Sequence, residues 1–119
     1  MCCGLRNLSG KLVAFASYKQ LPVDYKLNYL INNLDLNKTP YYLGGAVVDE
    51  DYRGNGFQLI LLNFRLKQLK LTCPSGFNAW ITAHPENIVS IRNIEKAGFK
   101  KITDKPIPMY GSVRDVFFI

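Results

Sequence analysis

Histidine occurs once in this chain, at His84, and cysteine three times, at Cys2, Cys3 and Cys73. With no CxxC spacing and a single imidazole, the ligands of a zinc site are missing, and an odd cysteine count makes no disulfide framework. No metal is expected. No run approaches the ~20 apolar residues of a membrane span, and Met1-Cys2-Cys3 does not lead into a signal-peptide core. The sequons at Asn7 and Asn37 therefore read as chance, no membrane partner is expected, and the chain reads as cytoplasmic. Adjacent N-terminal cysteines are in principle open to lipidation, but buried strand positions are the preferred reading. Acidic residues are also scarce: 9 Asp and Glu stand against 15 Lys and Arg, a net charge of +6. That excess favours an anionic partner. Only Lys100 and Lys101 are adjacent, however, and no basic stripe or aromatic platform marks a nucleic-acid face. Nucleic acid is not an expected partner.

What is present suits one folded domain over residues 1–119. The length suffices to bury roughly two-thirds of the unfolded surface, and a hydrophobic fraction of 48% supplies a core. Turn residues at Asn7-Leu8-Ser9-Gly10 predict an opening hairpin with strands over 1–5 and 12–16. A short helix is expected inside the connection 21–40. A strand over 41–48 is interrupted by Gly44-Gly45, which predicts a bulge or the close approach of a ligand. A helix over 54–71 carries Phe57, Leu61, Phe64 and Leu69 at helical spacing, widened by Ile60, Leu62 and Leu66. Arg65, Lys67 and Lys70 fall in its second half, where cations complement the dipole. Then follow a strand over 77–83, a helix over 88–97 stopped by Gly98, a strand over 99–103, a loop over 106–111 and a strand over 112–119. The order is that of an α/β (α+β) protein with mixed strand directions.

The densest chemical signal is Val48-Asp49-Glu50-Asp51-Tyr52-Arg53-Gly54-Asn55-Gly56-Phe57-Gln58. A strand end passes through an acidic turn into a glycine-bearing helix start, where free N–H groups and the positive dipole end favour a phosphate. A dinucleotide fingerprint fails, because its third glycine position holds Leu59, and a P-loop fails for want of Gly-Lys-Ser/Thr. The loop instead resembles the pyrophosphate loop of the GNAT superfamily of acyl-CoA-dependent N-acetyltransferases: Arg or Gln, two residues, Gly, one residue, then Gly or Ala. Arg53 and Gly56 match, and Gln58 departs at the last small position. A second block matches the same superfamily in register: Asn87, Ser90, then Glu95-Lys96-Ala97-Gly98-Phe99.

The resemblance implies a mostly antiparallel mixed sheet flanked by helices, here without the superfamily's usual first strand and first helices. It implies transfer of an acetyl group from acetyl-CoA to a primary amine of a small molecule or a peptide N-terminus, by direct attack. Val48 would bond the pantetheine arm through its backbone; Arg53, Gly54, Asn55, Gly56, Phe57 and Gln58 would hold the pyrophosphate; Asn87 and Ser90 would line the arm. The proton-handling positions depart from the superfamily: its usual acid is replaced by Ile94 and a frequent base by Thr82. His84, Glu86, Tyr41 and Tyr42 are the substitutes, with His84 first by its pKa near neutrality. The alternative is a catalytically degenerate acyl-CoA-binding or interaction module. An open sheet edge at 12–17 would need a cover, and a homodimer is one way to supply it.

Overall fold

The computed structural model describes residues 1–22, 37–109 and 111–119; the short helix expected within 21–40 falls outside that set. Among the described residues seven strands and two α-helices follow in the order β1 (Cys2–Arg6), β2 (Leu12–Gln20), β3 (Thr39–Val48), α1 (Phe57–Thr72), β4 (Phe77–Ala83), α2 (Ile88–Lys96), β5 (Lys100–Lys101), β6 (Ile107–Met109) and β7 (Ser112–Phe118). The sheet runs β1-β2-β3-β4-β7-β5, with β6 also on β7. Every pairing is antiparallel except β3 with β4. A parallel pair needs a crossover, and α1 provides it.

The opening hairpin is closed by one side chain. Asn7 Oδ1 accepts from the backbone N–H groups of Ser9 and Lys11, a local geometry that asparagine offers the backbone readily. Strand alternation then sorts the core into two layers. Tyr41, Leu43, Ile81 and Phe117 pack with Leu62, Leu66 and Leu69 of α1 and with Ile94 of α2. On the other face Trp80, Val116, Met109 and Leu21 form a second cluster, joined by Tyr42. A third group, Ala14, Ala16 and Leu61, seats the start of α1 on β2.

Several local expectations shift. The outer edge is β1, not residues 12–17, because β1 pairs with β2 from Cys2↔Ser17 to Arg6↔Leu12. That outer position leaves Cys2 exposed and Cys3 half-buried, so neither is the buried strand cysteine expected. Residues 106–111 are not all loop. Ile107–Met109 pairs with Ser112–Arg114, and Pro108 is tolerated because β6 is an edge strand with no second partner needing its N–H. β5 shrinks to two residues, since only Lys100 and Lys101 meet β7. In α1, Ile60 and Phe64 are exposed, whereas Arg65 is 1% exposed. Arg65 therefore does not serve the helix C-terminus; carbonyls freed in the sheet draw it inward. Among the described residues no helix is long and apolar enough to cross a membrane.

Candidate functional site

The site begins with an irregularity in the sheet. Ala16 faces Ala46 and Tyr18 faces Leu43, so Gly44 and Gly45 of β3 stand opposite Ser17 alone. This is a β-bulge, which bends and twists the strand that carries it. Gly44 is required by crowding: a Cβ there would meet Ser17 Oγ at 2.5 Å. Beyond the bend, β3 and β4 separate. Their pairing runs from Thr39↔Phe77 to Tyr42↔Trp80 and stops, while β3 continues to Val48 and β4 to Ala83. Between the free end of β3, the glycine loop and the first turns of α1 and α2 lies a cleft of about 670 Å³.

The glycine loop closes one end of this cleft. Asp49 caps a short 3-10 turn, Glu50–Tyr52, by accepting from the Asp51 N–H, and it pairs with Lys11 at 3.2 Å. The Asp51 N–H and then Lys11 hold its carboxyl below the usual range. Tyr52 stacks on Phe57 and its hydroxyl accepts from Asn7 Nδ2 at 3.0 Å, so the hairpin turn braces the loop. Arg53 is exposed, with Nε donating to the Val48 carbonyl at 3.3 Å.

Gly54 and Gly56 have φ of 81° and 74°, and a Cβ on either would meet nothing within 4 Å. Conformation, not crowding, selects glycine here, and the space above is open for a ligand. The two helix starts then differ in one respect. At α2 the side chain of Asn87 accepts from the Ser90 N–H. At α1 the capping residue is Gly56, which has no side chain to offer, and the first turn holds no acidic residue. The dipole and free N–H groups at α1 therefore face the cleft without an internal anion.

The sequence-selected residues converge here. Val48, Arg53, Gly54 and Gly56 line the cleft from the β3–α1 side, with Phe57 and Gln58, and Asn87 lines it from α2. Asn55 and Ser90 are turned to other duties. Asn55 Nδ2 donates to the Tyr52 carbonyl, and Ser90 Oγ accepts from Gln58 Nε2 at 2.7 Å. Gln58 Oε1 in turn accepts from Asn93 Nδ2 at 3.1 Å. The side chain that breaks the small-residue pattern is thus drawn into a strut between α1 and α2.

The proton-handling candidates separate by face. Tyr41 is buried on the α1 side, where Cys73 Sγ donates to its hydroxyl; burial pushes its phenol up. Tyr42 points to the opposite face, its hydroxyl 3.0 Å from that of Thr82 across the point where β3 and β4 part. His84 Nδ1 accepts from the Glu86 N–H at 3.1 Å, which leaves Nε2 as the ring nitrogen for other work. Glu86 is exposed. Ile94 is 0% exposed and belongs to the core.

Three contributors escaped the sequence reading. Asn7 reads in sequence only as a turn residue and a chance sequon, and Asn93 carries no distinguishing context. Arg65 does: it interrupts the stripe Leu61–Arg65–Leu69 at four-residue spacing, and a charge in the centre of an apolar face needs a buried partner.

Comparison with known proteins gives a consistent result. The sequence model of the acetyltransferase (GNAT) family matches residues 1–99. No curated protein sequence matches significantly. Among solved structures, NAA60 of Arabidopsis thaliana in complex with acetyl-CoA superposes with a TM-score of 0.71 at 19% identity, over 95% of this chain and 68% of its own. A GNAT-family acetyltransferase from Bacillus anthracis gives 0.66 at 19%, over 98% and 63%. The ribosomal-protein-S5-alanine acetyltransferase of Vibrio fischeri gives 0.64 at 15%, over 93% and 55%. At such identities the likeness establishes the fold, and the chain spans about two-thirds or less of the length of these structures.

Proposed function

The chain belongs to the acetyltransferase (GNAT) family, and on that premise we propose that it transfers an acetyl group from acetyl-CoA to a primary amine of a small molecule or peptide N-terminus. The observation that carries this reading is the uncapped start of α1, with its two positive-φ glycines, opening into the cleft beside the end of β3, where its pairing with β4 has stopped. A pyrophosphate fits the first feature by charge and hydrogen bonding. An extended amide-bearing arm fits the second, because the separated strand ends have edges to pair with, as an added strand would.

In this reading Arg53 and the N–H groups from Gly54 to Gln58 hold the pyrophosphate. The backbone of β3 near Val48 bonds the pantetheine arm, Asn87 meets it from α2, and Ser90 keeps that wall low. The amine attacks the thioester carbonyl directly; a backbone N–H of β3 steadies the oxygen as charge develops on it. The attacking nitrogen loses a proton and the departing sulfur gains one. Tyr42 and Thr82, on the face opposite the helices, are the hydroxyls best sited to pass that proton, with His84 as the second candidate. Positioning the amine beside the carbonyl supplies much of the remaining acceleration.

A second reading, an acyl-CoA-binding module without turnover, is favoured by one observation: Ile94 is core and carries no proton. Calorimetric titration with acetyl-CoA followed by a thiol-release assay over a panel of amines separates the two. Binding together with release on at least one acceptor supports transfer. Binding without release on any acceptor leaves the module, and no binding sinks both.

A further inference from the structure

Arg65 is the most deeply buried charged side chain in the described structure, at 1% exposure. Among the described residues no carboxylate lies within ion-pair distance of it. Its acceptors are all carbonyls: Nη1 donates to Gly44 at 2.6 Å and to Ser17 at 2.9 Å, and Nε to Leu61 at 3.3 Å. Ser17 and Gly44 are the residues that face each other across the bulge. A bulge removes carbonyls from the ladder, and a buried carbonyl without a donor is costly. One guanidinium nitrogen, with two hydrogens, answers both.

We propose that Arg65 is a positioning residue for acyl transfer: it ties the Ser17 and Gly44 carbonyls together, fixes the bulge that parts β3 from β4, and so holds the backbone edge against which the thioester lies. The role rests on the acyl-CoA reading above. It explains why a full charge is kept in an otherwise apolar helix face. With Nε anchored on the Leu61 carbonyl, the rigid guanidinium plane aims both hydrogens of Nη1 at carbonyls on two strands, an orientation that an ammonium on a flexible stem does not hold equally well. Desolvation lowers the Arg65 pKa, but an arginine stays charged. Its charge therefore lies under β3 in a low-dielectric setting, where it favours negative charge developing on the substrate side.

The test compares R65M and R65K with the parent protein. Amide exchange by mass spectrometry is expected to rise at least tenfold over residues 43–48 in R65M, with less than threefold change over 61–69. Affinity for CoA, which lacks the acyl group, stays within threefold, while kcat falls at least tenfold and R65K recovers part of it. Unchanged exchange over 43–48 overturns the role. So does a uniform rise with CoA affinity and kcat falling together, the signature of general destabilisation. If R65M does not fold, R65K decides by the same exchange criterion, local rise against none or uniform. Failure of the parent to bind acetyl-CoA overturns the acyl-CoA reading and the transfer role with it; a parent that binds, with an R65M indistinguishable from it, overturns the Arg65 role alone.

Discussion

Arg53 and Tyr42 stand on opposite faces of the site, and each can be removed without touching the other. Arg53 is exposed and, among the described residues, bonds the Val48 carbonyl through Nε, so most of its charge is open to an anionic ligand. R53E is expected to weaken acetyl-CoA binding at least tenfold, because a negative charge then faces the same cradle; unchanged affinity by calorimetry would mean that the loop does not hold the pyrophosphate. Tyr42 bonds Thr82 where the strands part. Y42F is expected to lower kcat by roughly a hundredfold, the scale of a lost acid or base, with acetyl-CoA affinity unaltered. Equal losses in both would place Tyr42 among the cofactor contacts instead.

At the scale of elements, the bulge and the braced loop decide the geometry. Gly44 is squeezed by Ser17 Oγ, so G44A is expected to destabilise the fold by about 1–3 kcal/mol, as overpacking does. Because the obstacle is one hydroxyl, S17A/G44A should recover much of that loss. Urea unfolding of the two singles and the double gives the coupling directly, and an additive double would show that the strain lies in the backbone. The glycine loop depends on Asp49, whose folded pKa lies below its unfolded value. Its contribution is complete above the unfolded value of about 3.9 and disappears as pH falls through the folded one. The Asp51 amide, which donates to Asp49, is expected to shift and exchange faster across that acid window in NMR spectra. In D49N the transition should be absent. The legible parts of these elements were those with local chemistry, such as the Gly44-Gly45 bulge and the stop of α2 at Gly98. The strand at Ile107–Met109 was hidden because Pro106 and Pro108 resemble loop punctuation, and only the neighbouring β7 makes it a strand.

Over the whole molecule, the cleft is assembled from β3, the glycine loop, α1 and α2, which lie together only in the folded chain. Ligand binding should therefore stabilise the fold as a unit. At a hundredfold excess over Kd, acetyl-CoA is expected to add about 2.7 kcal/mol, which for a domain of this size raises Tm by roughly 10 °C. Adenosine, without the pyrophosphate, should give little shift in the same calorimetric scan. An equal shift from adenosine would move the main attraction away from the α1 N-terminus. The net charge of +6 acts at this scale too: it favours the approach of any anionic ligand from a distance without choosing its seat.

By itself the sequence determined the pieces whose causes lie within a few residues. Two glycines lead into α1, Gly98 stops α2, and the two blocks fall in superfamily register. Those features carry the proposal that an anionic group is held here. Only the tertiary structure decided how the cleft is opened and which candidates face it, because these depend on partners distant in the chain. Arg65 reads in sequence as a helix cation, but carbonyls from Ser17 and Gly44 bring it inside. Adjacent tyrosines are equivalent in sequence, yet strand alternation buries Tyr41 against α1 and turns Tyr42 toward Thr82. A buried charge and a strand register are settled by what packs against them, and that is a property of the folded chain.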